Sequence, residues 1–407
     1  MTQSESLPTF RSRAAAWLAQ HMPRLEEVPA FAVEEEEWEY HRGLQRRLYD
    51  AGFAGLSFPV AYGGQGLPPE YQQVFTEISS EYQMPLLFNV PTLGVCAPTI
   101  MEHGTEEQKV RHVSALLRGE AYWVQFLSEP RGGSDLAGLI TKAEKVDGGW
   151  VLNGAKTWST CAYSADWALC LARTDWDLPK HEGLTMFMVP VKSDGITVRR
   201  IRMVNGGDEH CEEFIDNVFV PDDAVLGEIN GGWAVAMRQL FHERSAVGGG
   251  SVYVSGSGRN RITRPKTDPV DLARRTGRAE DPVALELLGR WHARELGQRL
   301  LNVRVKDAIA GGQLPPPAAS MMMLFHSEID AFNDDVCLQL AGAAVVATDE
   351  PETSLHAASL NYLMRQASSL GGGSAEMSRN TISERFLGMP RESAPDRGVP
   401  FREVSRG

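Results

Sequence analysis

"LGGGSAEMSRN", residues 370–380, sets three consecutive glycines, Gly371, Gly372 and Gly373, before a segment that reads as a helix. Glycine serves where the chain needs a positive φ or where a ligand must approach the backbone closely. The spacing is not that of a phosphate loop, because no Lys-Ser or Lys-Thr pair follows. Bare backbone donates N–H groups but moves no proton, so a side chain must supply any acid or base. The loop's own carboxylate is Glu376. Another acid, Glu243, precedes Arg244 in "GWAVAMRQLFHERSAVGGG". Read alone, that pair is a structural ion pair at a helix end. The five cysteines, Cys96, Cys161, Cys170, Cys211 and Cys337, have no metal-ligand spacing and read as reduced thiols of a cytosolic protein.

These residues must be held by a chain of 407 residues, long enough for two or three domains or layers, with 43% apolar residues to fill a core. The net charge of −13 argues against a nucleic-acid binder, whose footprint is basic, while leaving room for a local anion site. The N-terminus lacks a charged-then-apolar signal pattern, and no apolar run approaches the roughly 18 residues of a membrane span. The expectation is a soluble cytoplasmic protein.

Periodicity divides the chain into three. Up to residue 122 it reads as helical: "EEEEWEYHRGLQRRLYDAG" stops at Gly52, and Thr105 caps "GTEEQKVRHVSALLRGE". The intervening "SFPVAYGGQGLPPEY" is a loop rich in Gly and Pro. Residues 123–232 contain "GWVLNGAKTW", "ADWALCLART", "GLTMFMVPV", "GITVRRIRM" and "EEFIDNVFVP", short β-branched and aromatic runs with an antiparallel pattern. From residue 233 the chain is helical again. Asp281 caps a long helix with Pro282 in its first turn and Gly311-Gly312 as its stop, and Leu285, Leu288, Trp291, Leu300 and Val303 fall near helical spacing. The predicted class is α+β: an N-terminal helical domain (1–122), a middle antiparallel β-domain (123–232) and a C-terminal helical bundle (233–407). A sheet between two helical halves leaves a groove suited to a flat cofactor.

"QFLSEPRGGSDLAG" (125–138), "NGAKTWST" (153–160) and "SAEMSRNTISERFLGMPRE" (374–392) together resemble the acyl-CoA dehydrogenase family of flavoproteins, over nearly the whole chain. The resemblance implies that family's fold, FAD, and a homotetramer or dimer. It also implies dehydrogenation of an acyl-CoA to the 2,3-enoyl-CoA, with an electron-transferring flavoprotein or similar acceptor as partner. The chain departs from the family around residues 252–278, where an Arg-x-x-Phe-Gly motif is usual and "TGRAED" follows Arg275.

Carried over by position, Gln125, Leu127, Ser128, Gly133 and Ser134 contact the flavin or the head of the substrate. Trp158 packs on the ring, and Thr160 hydrogen-bonds near flavin N5. On the residues alone, Ser-Glu-Pro is also a simple turn and Trp158 a core aromatic; the two motifs in order favour the flavin reading. Arg275, with Glu286, and Gln339, with Gly342, match positions that reach FAD from a neighbouring subunit; otherwise they read as solvated helix charges and a polar residue on a helix face. Ser374 and Glu376 match cofactor-side positions. The loop carboxylate that many members use as base falls on Gly372. In isovaleryl- and long-chain acyl-CoA dehydrogenases, which this chain resembles in base placement, the base lies on a bundle helix, and the matching residue is Glu243. Arg244 then borders the substrate, and the Gly372 N–H remains a donor for the thioester oxygen. His242 points about 100° away from Glu243.

Two other readings remain. One is a flavin oxidase or monooxygenase of the same fold, against which Glu243 speaks. The other is a non-catalytic partner subunit of a heteromeric acyl-CoA dehydrogenase, kept alive by the missing Arg-x-x-Phe-Gly. The acyl group, and coenzyme A versus a carrier protein, are not specified by the sequence.

Overall fold

The computed structural model describes residues 5–25, 27, 29, 31–247, 251–254, 267–346, 354–394 and 396–404. Part of the 252–278 stretch, where the chain departs from the family pattern, lies outside the described residues. The chain divides into two compact units. One comprises Met1–Arg202, Asp208–Ile262 and Asp396–Gly407, the other Met203–Gly207 and Thr263–Pro395.

The first unit begins with helices whose ends are set by local hydrogen bonds. Ser6 caps Leu7–His21. The helix Glu34–Asp50 carries four glutamates in its first turn, favourable at the positive end of the helix dipole, and it is followed by Gly52 at φ +74°. Thr105 and Gln108 form a reciprocal capping box at the start of Glu106–Leu117. The Gly52 stop and the Thr105 cap, both expected from sequence, hold because helix ends are decided by residues a few positions apart.

Among the described residues, eight strands follow: β1 (Trp123–Phe126), β2 (Lys142–Val146), β3 (Gly149–Thr160), β4 (Trp167–Arg173), β5 (Leu184–Pro190), β6 (Ile196–Ile201), β7 (His210–Pro221) and β8 (Val225–Leu226). Their order is β6-β7-β3-β2-β4-β5-β8, with β1 beside β4. Most pairings are antiparallel, as the short alternating runs suggest, but β1 and β2 each pair with β4 in parallel. β1 therefore faces two cores. Trp123 and the following Leu127 pack with the N-terminal helices, whereas Val124 and Phe126 pack inside the sheet's own cluster. The helix Gly232–Val247 adds Val235 and Ala236 to the first of these cores. Gly94 permits close packing there, since a Cβ at that position would lie 2.8 Å from Ala246 Cβ.

The second unit is helical. Its core includes Leu272, Ala284, Leu287, Val336, Leu340 and Ala358. Asp281 caps the helix Pro282–Ala310 through the Val283 N–H, and the helix stops at Gly311-Gly312, as expected. Its apolar spacing is divided, however. Leu288 and Trp291 pack against the core, while Leu285, Leu300 and Val303 are exposed. All five cysteines are unpaired and buried. Among the described residues, no helix is long and apolar enough to cross a membrane.

Candidate active site

Gln125 lies on β1 between Trp123 and Leu127, and period-2 alternation turns its side chain to the same face as theirs. There its amide hydrogen-bonds the carboxylate of Glu243, on the helix Gly232–Val247. Dense protein around that carboxylate pushes its pKa up; the Gln125 hydrogen bond and the charge of Arg244 act in the opposite direction without cancelling the burial. The same burial keeps the nearby Cys96 thiol neutral, and the negative charge of Glu243 reinforces the effect. His242 is engaged elsewhere. Its Nε2 lies 3.0 Å from Glu102, which Arg238 also holds through two contacts of 2.6 Å.

The turn after β1 is pinned at both ends. Glu129 and Gly132 exchange backbone hydrogen bonds of 3.1 and 2.9 Å, and the Thr157 N–H donates to Ser128 O at 2.9 Å. The Glu129 carboxylate accepts from the Ile140 and Thr141 N–H groups, each at 2.8 Å, and from Lys156 Nζ at 3.1 Å. Lys156 Nζ also donates to Leu127 O at 3.0 Å. Burial alone would raise the Glu129 pKa, but the Lys156 charge and these donors hold it below the usual value. Lys156 and Glu129 lie inside the two sequence motifs, yet their types and spacing do not single them out. They fix a turn that presents Ser128 half-buried and Gly133 and Ser134 exposed.

Trp158 occupies a break in the β3–β7 ladder. Thr157 pairs with Glu212 and Ser159 with the adjacent Cys211, leaving Trp158 as an extra residue. Its φ is +69°, in the left-handed region, and the side chain is 58% exposed. The reading of Trp158 as a core aromatic is thereby removed. The ring meets His210 edge-on at 5.9 Å. Thr160, half-buried, ends the strand. A large aromatic held outward in a strained conformation, beside a turn of small residues, fits a flat ring system as ligand.

Descriptions of the acyl-CoA dehydrogenase N-terminal, middle and C-terminal domains match residues 4–120, 125–218 and 230–387. The chain is 31% identical over 398 residues to acyl-CoA dehydrogenase IpdE1 of Mycolicibacterium smegmatis, covering 94% of this chain and 98% of that one. The chain belongs to the acyl-CoA dehydrogenase family. It is also 35% identical over 350 residues to acyl-CoA dehydrogenase FadE34 of Mycobacterium tuberculosis; the match covers 85% of this chain but 46% of that longer protein. The solved Tcur3481-Tcur3483 steroid ACAD superposes with a TM-score of 0.74 at 28% identity, covering 96% of this chain and all of that one. As an acyl-CoA dehydrogenase, the protein is an FAD-binding oxidoreductase.

The remaining positions drawn from this acyl-CoA dehydrogenase's sequence lie in its second unit. Gly372 and Gly373 have φ of +74° and +111°, so the glycine run answers a backbone requirement. Ser374 is buried and caps the helix Ala375–Thr381 by accepting from the Met377 N–H at 3.2 Å. Glu376 is exposed in the first turn, where backbone and Ser374 hydrogen bonds lower its pKa. Arg275 donates to Asp271 at 2.6 Å from the end of its helix. The turn after Arg275 packs on the segment 339–342: Arg278 donates to Gln339 O at 2.7 Å and Thr276 to Leu340 O at 3.2 Å. Arg275 and Gln339 thus belong to one neighbourhood, both exposed, beside Gly342 at φ +56°.

Proposed function

We propose that this protein dehydrogenates an acyl-CoA thioester to the 2,3-enoyl-CoA, with Glu243 as the base that removes the α-proton. The single observation that carries the reading is the hydrogen bond from Gln125 to the Glu243 carboxylate, which ties the candidate base to the flavin-side motif. FAD bound there would supply the acceptor for the hydride that leaves the β-carbon. Glu243 takes the α-proton, and its raised pKa makes it a stronger base than a solvated carboxylate. Gln125 orients that carboxylate, and Arg244 borders the substrate. Leu127, Ser128, Gly133, Ser134, Trp158 and Thr160 receive the flavin ring, and Ser134 also meets the substrate head. The Gly372 N–H donates to the thioester oxygen, stabilising charge as the proton leaves. Ser374 and Glu376 hold the cofactor side of the loop.

The protein is proposed to be a cytoplasmic homotetramer or dimer in which Arg275, Gln339 and Gly342 reach a neighbour's FAD. The exposed Leu285, Leu300 and Val303 on one long helix support an assembly that covers them. An electron-transferring flavoprotein or similar acceptor is the proposed partner in electron transfer. Because a solved relative is a steroid ACAD bearing two component names, a steroid-derived acyl-CoA is the first substrate class to try, and a heteromeric assembly is the second structural reading. Glu243 argues against an oxidase or a non-catalytic subunit. The test is anaerobic bleaching of the bound flavin by a panel of steroid-derived, branched and straight-chain acyl-CoAs. Bleaching by at least one, slowed by about 10²–10⁴-fold in Glu243→Gln, is the expected result. Lack of bleaching by every acyl-CoA, with FAD bound, overturns the reading.

A further inference from the structure

Strands β3 and β7 enclose ionisable groups to which the proposed chemistry gives no role. Lys156 and Glu213 are register partners across the ladder, and both are 0% exposed. They do not form an ion pair: the Lys156 ammonium is directed to Glu129 and Leu127 O. Among the described residues, no cation lies within ion-pair distance of Glu213. One carboxylate oxygen, Oε1, is buried without a partner; the other, Oε2, lies 3.2 Å from Ser159 Oγ. Ser159 Oγ lies 2.7 Å from Gln125 O.

The bond directions follow from the proton count. A hydroxyl has one proton, and a carbonyl oxygen can only accept. The shorter contact takes the Ser159 proton to Gln125 O, so the Ser159 oxygen accepts from Glu213, which must then carry a proton. An ionised Glu213 would be a buried charge without a counter-ion, which is costly. The groups around it agree. Burial pushes Glu213 up to about 8; the charge of Lys156 opposes this and that of Glu212 reinforces it. Burial also pushes the facing thiols, Cys170 on β4 and Cys211 on β7, to about 11. Glu129 is held ionised by Lys156 and its backbone donors. Glu213 is therefore the group of this cluster that changes charge in mildly alkaline solution.

We propose that Glu213 is a positioning residue of the flavin site: a buried, neutral carboxylic acid whose O–H orients Ser159, and through it the backbone of Gln125, behind the strand that presents Trp158 and Thr160. The proposal rests on the reading of Gln125, Trp158 and Thr160 as flavin-side groups. Loss of the Glu213 proton turns the Ser159 hydroxyl toward the new carboxylate. Gln125 O then loses its donor, and a negative charge appears behind Trp158. FAD binding weakens as a result.

The test uses the full chain stripped of FAD and titrated back between pH 6.5 and 9.5, with affinity read from flavin fluorescence. Wild type is expected to lose affinity at least threefold, with a midpoint near pH 8. Glu213→Gln keeps a donor for Ser159 and cannot ionise, so its affinity should match wild type at pH 6.5 and stay flat. Glu213→Leu removes the donor and should bind at least threefold more weakly at pH 6.5; if it does not fold, the Gln variant alone decides. Parallel titrations of wild type and Glu213→Gln overturn the proposal while leaving the dehydrogenase reading intact. Failure of wild type to bind FAD at any pH overturns both.

Discussion

The side-chain amide of Gln125 donates to the carboxylate of Glu243, joining strand β1 to the helix Gly232–Val247. Gln125 Oε1 has no partner of its own, so the amide nitrogen is the atom that makes this bond. Replacing Glu243 by Gln preserves size and removes the proposed base. Anaerobic flavin reduction by the best acyl-CoA should slow by about 10²–10⁴-fold, the worth of a positioned general base. FAD binding should stay near wild type.

The same bond predicts a direction in pH. As the proposed base, Glu243 must be ionised to act, and burial raises its pKa, so reduction should speed up as pH rises through that value. Gln125→Leu deletes the donor that favours the ionised form. Its rate profile should shift to higher pH than wild type. An unchanged or acid-shifted profile in stopped-flow reduction would show that the bond does not tune the base.

Trp158 separates cofactor binding from folding. Its φ of +69° strains a bulky residue, and its ring is largely exposed. Trp158→Gly should relieve about 1 kcal/mol of backbone strain and leave the apoprotein's melting temperature equal or higher. FAD affinity should fall at least tenfold in equilibrium titration. A stable variant with undiminished affinity would rule out a role for the ring in holding the cofactor.

Lys156 is predicted to be structural. Lys156→Met leaves Glu129 buried without its cation, a loss of about 3–5 kcal/mol in chemical denaturation. The double variant Lys156→Met with Glu129→Gln should recover part of it, since no uncompensated charge then remains.

Glu213 predicts the slope of stability with pH. Its folded pKa, about 8, lies above the ordinary carboxyl value of 4.5. Between these values the native protein keeps a proton that the unfolded chain has released, so stability falls as pH rises toward 8 and this contribution levels off above it. Glu213→Gln lacks the slope. Its melting temperature relative to wild type should climb from pH 5 to pH 8.5, as read by differential scanning calorimetry.

Gly372 bears on where a base can sit. At φ +74°, any side chain costs about 1–2 kcal/mol, and a Cβ would lie 2.8 Å from the flexible end of Met323. Moving the carboxylate to the loop, as Glu243→Gly with Gly372→Glu, should therefore restore measurable flavin reduction only in a protein of lowered stability. Glu243→Gly alone should show none.

Local chemistry carried much of the fold into the sequence. Thr105 with Gln108, Asp281 with Pro282, and Gly311-Gly312 set helix ends through contacts a few residues apart, and period-2 runs gave the long strands. The motifs around Ser128, Trp158 and Ser374 sufficed for the family. Tertiary structure alone decided how those residues are used. Strict alternation would put Lys156, Trp158 and Thr160 on one face; a single extra residue in β3, whose register is set by β7, instead buries Lys156 and turns Trp158 outward. The burial of Lys156, Glu129 and Glu213 is not legible in the sequence, because burial and counter-charge depend on partners distant in the chain. Gln125 and Glu243 are likewise silent about each other in sequence. Only packing of β1 against the helix Gly232–Val247 brings donor and carboxylate within reach, and hydrogen bonds act over a few ångströms of space, not along the chain.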